Sequence, residues 1–105
     1  MSKVLILGST GMLGSAVEKV LKAGEIDITV ASRTKGVLFE AVGVNMPNLI
    51  EDSGLSSGDF IVNCIGLTKA RINEDSITSR QLAVGLNIDF PNSLAEAAEH
   101  ANLKV

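Results

Sequence analysis

The sequence predicts an α/β fold: a parallel sheet with flanking helices, forming the first half of a doubly wound domain. Three observations carry that expectation. Residues 4–7 and 60–66 are nearly continuous apolar runs without alternation, as expected of strands covered on both faces by crossover helices. The first run ends in Gly8, Gly11 and Gly14, spaced three apart, and passes straight into a helical pattern. The last third of the chain keeps a period near 3.6 residues, the signature of an amphipathic helix.

Each element has its own local cause. After the strand Val4 to Leu7, the residues Leu13, Ala16, Val17, Val20 and Leu21 fall on one helix face. The helix is expected to stop at Ala23-Gly24-Glu25, with Gly24 taking the left-handed cap. Ile26, Ile28 and Val30 alternate with Asp27 and Thr29 in a second strand that runs out at Ala31-Ser32-Arg33-Thr34. Val42-Gly43-Val44 is predicted as a short third strand, with Asn45 at its C-terminal end. Pro47 suits a first helical turn, giving a short helix to Asp52 closed by Ser53-Gly54, followed by a turn over residues 56–59. The strand at 60–66 leads to a polar loop, 67–75, that carries Lys69 and Arg71. Ala83, Leu86, Phe90, Leu94, Ala97 and Ala101 then form one stripe on both sides of Pro91, so one bent helix is expected rather than two. Residues 102–105 read as a loop and the opening of another strand.

Composition narrows the functional classes. A chain of 105 residues, 46% hydrophobic, is sized for one domain with a core. A net charge of −3 and a pI near 5.0 supply no basic field for nucleic acid. No apolar run approaches the roughly 20 residues of a membrane span, and Met1-Ser2-Lys3 leads into a strand without a signal-peptide pattern. The expectation is a soluble, cytoplasmic protein with neither nucleic acid nor membrane as partner. Cys64 is the only cysteine; it has no partner for a disulfide or a metal site and reads as a small buried hydrophobe. His100, the only histidine, falls on the polar stripe of the last helix.

Strand, glycine turn and helix together offer a phosphate to a helix N-terminus, where free N–H groups and the positive dipole end converge. The chain is read as binding a nucleotide cofactor there. Gly8 allows the tight turn, Gly11 the approach of backbone to a pyrophosphate, and Gly14 the packing of helix on strand. The spacing is G-x-x-G-x-x-G, and no Lys-Ser or Lys-Thr pair follows it, which excludes a P-loop. The end of the second strand meets the adenosine ribose in such folds, where an acid favours NAD and a basic residue NADP. No acid lies between Ala31 and Gly36. Ser32 and Arg33 can donate to a 2′-phosphate, so NADP is favoured over NAD, with Arg33 as a plain solvated charge the alternative. Asn63 is the polar exception in its strand, Gly66 lets backbone approach a ligand, and Asn87 lies beside the apolar stripe, free to face a crevice.

The glycine triplet, the strand Asp59-Phe60-Ile61-Val62-Asn63-Cys64-Ile65-Gly66 and the helix Asn87-Ile88-Asp89-Phe90-Pro91-Asn92-Ser93-Leu94-Ala95-Glu96-Ala97-Ala98 resemble the N-terminal part of extended short-chain dehydrogenases/reductases. Within them the chain is most similar to sugar-nucleotide reductases of the dTDP-dehydrorhamnose reductase type. The resemblance implies a Rossmann-like NAD(P)-binding domain over residues 1–105. It implies that Thr10, Gly11, Met12 and Leu13 line the pyrophosphate, and Ser32 and Arg33 the adenosine phosphate. Cys64, Ile65 and Gly66 would line the riboses. Asn45 stands near where relatives carry an Asp against the adenine, and Asn87 matches a helix asparagine that supports the active site. The family's proton chemistry uses a Tyr-x-x-x-Lys pair, and this chain contains no tyrosine. The expectation is therefore the cofactor part of a longer reductase, not competent by itself, with a sugar nucleotide as substrate only in the longer chain. An NADP-binding redox sensor, an NAD-dependent epimerase or dehydratase fragment, and a structural module remain as alternatives. An apolar strand at 60–65 left at a sheet edge invites pairing between chains, so a homo-oligomer is expected.

Overall fold

The computed structural model describes residues 2–66 and 76–105; the predicted loop with Lys69 and Arg71 lies outside the described residues. Four strands, β1 (Val4–Leu7), β2 (Ile28–Ser32), β3 (Val37–Leu38) and β4 (Phe60–Asn63), form one sheet in the order β3-β2-β1-β4. All three pairings are parallel. Val4 is in register with both Ile28 and Phe60, and Leu7 with both Ala31 and Asn63. Lys104 bridges Phe60 in parallel on the far side of β4. The Ile61 N–H donates to the Lys104 carbonyl at 2.7 Å. The predicted opening of another strand is therefore present beside β4.

β1 is central and apolar because both of its faces are covered. Leu5, Ile6 and Leu7 are all at or below 1% exposure. Leu5 and Leu7 join Ile61 and Ala31 in a core closed by α2 (Met46–Asp52) and α4 (Phe90–His100), through Met46, Leu49, Phe90, Leu94 and Ala98. Ile6, alternating to the opposite face, lies on the side of α1 (Met12–Ala23), which contacts β1 and β2. The Rossmann-like α/β unit expected from the apolar runs is the one observed.

The C-terminal helical segment is α3 (Ile77–Val84), a π-helical turn (Gly85–Asp89) and α4, without interruption. One bent helix was expected; one continuous helix is observed, carrying this wide turn just before Pro91. Pro91 has no N–H to give the Asn87 carbonyl four residues back, and its ring crowds that position. The backbone widens just before it, so that the Phe90 N–H donates to Gly85, five residues back. Phe90 stacks on Phe39 with ring centroids 6.2 Å apart.

Four local expectations are corrected. The apolar stripe of α1 is only partly turned inward: Val17 and Leu21 are half-buried beside the buried Gly14 and Glu18, whereas Leu13 is 63% and Val20 69% exposed. Gly14 dictates this rotation, as its backbone lies against the Gly8 carbonyl with no room for a side chain. Residues 42–44 form no strand; Gly43 turns the chain at φ +77°. Asn45 is the N-cap of α2, where its side-chain oxygen accepts the Asn48 N–H at 3.1 Å. The third strand lies earlier, at Val37–Leu38, reached without a crossover helix. The Ser32 hydroxyl folds that connection by accepting the Thr34 and Lys35 N–H groups and donating to the Lys35 carbonyl. Gly36, at φ +73°, rests on the Val30 carbonyl.

The fourth correction concerns the end of α1. Gly24 has φ −85°, and the left-handed residue is Glu25 at φ +58°. The Glu25 N–H donates to Lys22 and the Ile26 N–H to Leu21, the paired bonds of a Schellman cap. Gly54 after α2 and Asn102 after α4 hold the same position, at φ +68° and +56°. Of the three, Glu25 is the residue type that strains most there. Replacing Glu25 by Gly is expected to stabilise the fold by about 1 kcal/mol, read as a raised midpoint in urea; a lowered midpoint would contradict the cap assignment.

Candidate functional site

The residues expected at a cofactor site converge where the C-terminal ends of β1, β2 and β4 meet. In an open parallel sheet this is the crevice where strand order reverses, here between β1 and β4. A cavity of about 280 Å³ lies there, lined by Gly8, Thr10 and Gly11 after β1, Ser32 and Arg33 at β2, and Cys64, Ile65 and Gly66 after β4.

The turn after β1 is built by backbone geometry. Gly8 sits at φ +77°, and a Cβ there would meet Ile65 at 2.9 Å. Gly11 then begins α1 as its N-cap with no side-chain cap, so the first turn, which includes Met12, Leu13 and Gly14, starts uncapped. Met12 is 93% exposed. Gly11 differs from its two companions. Its φ is −78°, and an added Cβ would meet only the Gly8 carbonyl oxygen, at 3.5 Å. The fold therefore has room for a side chain at Gly11, although none is present.

At the end of β2 the two predicted phosphate contacts separate. Arg33 is exposed on the cavity wall. Ser32 is 4% exposed, and its hydroxyl proton is committed to the Lys35 carbonyl at 2.9 Å. It shapes the loop that carries Arg33 and is not placed as the phosphate donor expected from its position. Lys35 reaches Glu18 on α1 at 3.2 Å, and Lys22 reaches the same carboxylate at 2.8 Å. Hydrogen bonds from Lys22 first, then Lys35, hold the Glu18 carboxyl below its ordinary range.

β4 ends in an Asx turn, the Asn63 side-chain oxygen accepting the Ile65 N–H at 3.0 Å. The half-buried amide thus finds its partner in the loop, and the bend aims residues 64–66 across the crevice. The Cys64 N–H donates to the Leu7 carbonyl at 3.0 Å. Burial pushes the Cys64 thiol up from its usual value, which disfavours the thiolate and fits a packing role. Asn87 stands beside Gly66, its Oδ1 3.0 Å from where a Cβ on that glycine would lie.

Asn45 is not brought to this crevice. With its side chain committed to capping α2, it lines a separate groove of about 910 Å³ between α2 and α4, together with Ile50, Ala97 and His100. The crevice gains residues that sequence reading passed over: Phe39, Glu40, Ala41 and Val42 on one wall, Leu82 and Leu86 on another. The four-residue spacing of Leu82 and Leu86 was a usable signal. Residues 39–42 have no periodic pattern to announce them.

The crevice thus combines a parallel-sheet switch point with the uncapped N-terminus of α1. Solved structures agree on the fold. The chain is similar to the protein lin1944 from Listeria innocua (TM-score 0.75, 20% identity, covering 98% of this chain and 51% of that one). It is similar to dTDP-4-dehydrorhamnose reductase from Bacillus anthracis in complex with NADP (TM-score 0.72, 22% identity, covering 99% and 35%). It is also similar to MoeE5 in complex with UDP-glucose and NAD (TM-score 0.75, 17% identity, covering 97% and 34%). The chain thus spans about half the length of the first and about a third of the other two. No family model matches the sequence, and no curated protein matches it either. Among the described residues no helix is long and apolar enough to cross a membrane.

Gly14→Ala forces a methyl group into the Gly8 carbonyl and is expected to cost about 1–3 kcal/mol, as overpacking does. Thermal melting checks this; an unchanged midpoint would show that α1 can shift freely on β1.

Proposed function

We propose that this chain is the nicotinamide-dinucleotide-binding part of a sugar-nucleotide reductase that prefers NADP. The observation that carries the reading is Gly11. It sits at the uncapped start of α1, where the fold leaves room for a Cβ, so a group approaching from outside can use that space. A pyrophosphate suits it: it accepts from the N–H groups of the first turn and gains from the helix dipole. Neighbouring folds that bind NADP or NAD support the cofactor class.

Arg33 carries the preference for NADP, as the exposed cation on the wall at the end of β2. The cofactor supplies hydride; Cys64, Ile65 and Gly66 would lie along its riboses, and Asn87 beside Gly66 would support the reacting end. The 105 residues contain no tyrosine. Hydride transfer to a keto-sugar is accordingly proposed for a longer polypeptide, in which a catalytic segment follows this domain. A cytoplasmic location belongs to the same reading.

Titrating NADPH and NADH by calorimetry tests the proposal, with saturable binding of NADPH the tighter of the two. Gly11→Ala should weaken both by about tenfold or more, with little change in melting temperature. Arg33→Asp should reverse the preference. Absence of saturable binding by the wild type would overturn the cofactor reading, and an unchanged ratio in Arg33→Asp would reduce Arg33 to a surface charge. Self-association along the outer edge of β4 beyond the Lys104 bridge at Phe60 completes the proposal. Light scattering on these 105 residues should give more than a monomer mass, and a monomer at high concentration would remove it.

A further inference from the structure

We propose that Pro91, outside the crevice, is a positioning residue: by imposing the π-helical turn it places Leu82 and Leu86 in the crevice wall and Asn87 against Gly66. The inference rests on the reading of the crevice as a dinucleotide site.

The phase of α4 is fixed by the core, where Phe90, Leu94 and Ala98 are at 3% exposure or less. A π turn accommodates one residue more than an α turn, which rotates everything N-terminal to it by one position, about 100°. Were residues 85–89 regular α-helix on the same anchored α4, Ala83 would take the place of Leu82, and Asn87, inside the turn, would rotate part of one position away from Gly66. The crevice wall would lose a large side chain. Asn87 would leave Gly66, where the present fit is close, with its Oδ1 3.0 Å from the position of a glycine Cβ. The turn also rests on the wall opposite, with a Cβ on Gly85 falling 3.7 Å from Val42. Pro91 supplies the cause, because a regular α-helix requires an N–H that it lacks and space that its ring fills.

The experiment is Pro91→Ala in the full chain. Alanine favours the helix, so the melting temperature should hold or rise. Meanwhile NADPH binding should weaken by about tenfold, the scale of one misplaced polar contact. A merely structural proline would move both in the same direction. By NMR, the contact between the Asn87 side chain and the Gly66 α-protons should be lost. Pro91→Ala that keeps Asn87 at Gly66 and binds NADPH like the wild type would overturn the inference, as would loss of cooperative melting. If the wild type binds neither NADPH nor NADH, the dinucleotide reading fails separately, and the Gly66 contact still decides what Pro91 does.

Discussion

The contact between the backbone of Gly14 and the carbonyl of Gly8 governs how α1 meets the sheet. Two chain segments approach there more closely than any pair with side chains could. The rotation of α1 follows from it, and so does an inversion of the usual pattern. Glu18, a carboxylate, is turned inward at 7% exposure while Leu13 and Val20 face out. An inward carboxylate is tolerable only with cations at hand, and Lys22 and Lys35 supply them. The second of these ties α1 to the loop after β2. The placement of Arg33 beside the crevice is thus coupled to a backbone contact at the far side of the glycine turn.

The opposite face of the sheet is organised differently. Side-chain packing of Leu5, Leu7 and Ile61 against Phe90, Leu94 and Ala98 fixes α4, and each fully buried leucine contributes roughly 1.5–3 kcal/mol. The crevice lies between these two regimes. One wall is set by backbone that cannot move closer, the other by a helix whose register is adjusted with a wide turn.

Much of this was legible from residue patterns. The apolar runs of β1 and β4 announced strands covered on both faces, and the Phe90-Leu94-Ala97 stripe announced the last helix, continuous through Pro91. The errors share one physical origin, contacts between residues remote from any local pattern. Periodicity put Leu13 and Val20 on one face with Val17 and Leu21 because it cannot register a backbone contact six residues away. Propensity gave the left-handed cap to Gly24, but hydrogen bonding to Lys22 and Leu21 placed it one residue on, at Glu25. Ser32 looked like a free donor, yet its hydroxyl was needed to fold its own loop. Asn45 was similarly claimed by the start of α2. Short polar side chains close local turns before they serve ligands, and spacing alone does not reveal which they do.

At the N-terminal end of the sheet, away from the crevice, Asp59 gathers three segments. Its carboxylate accepts the Lys3 N–H at 2.9 Å and the Ser56 N–H at 2.8 Å, and its carbonyl accepts the Lys104 N–H at 2.9 Å. These two N–H groups, Lys3 first, hold the carboxyl below its ordinary range. A lowered folded value means that the tie is complete at neutral pH and released as acid protonates it. One carboxylate and its own backbone carbonyl thus join the residue before β1, the turn before β4 and the strand beside it, and acid weakens both carboxylate junctions through a single proton.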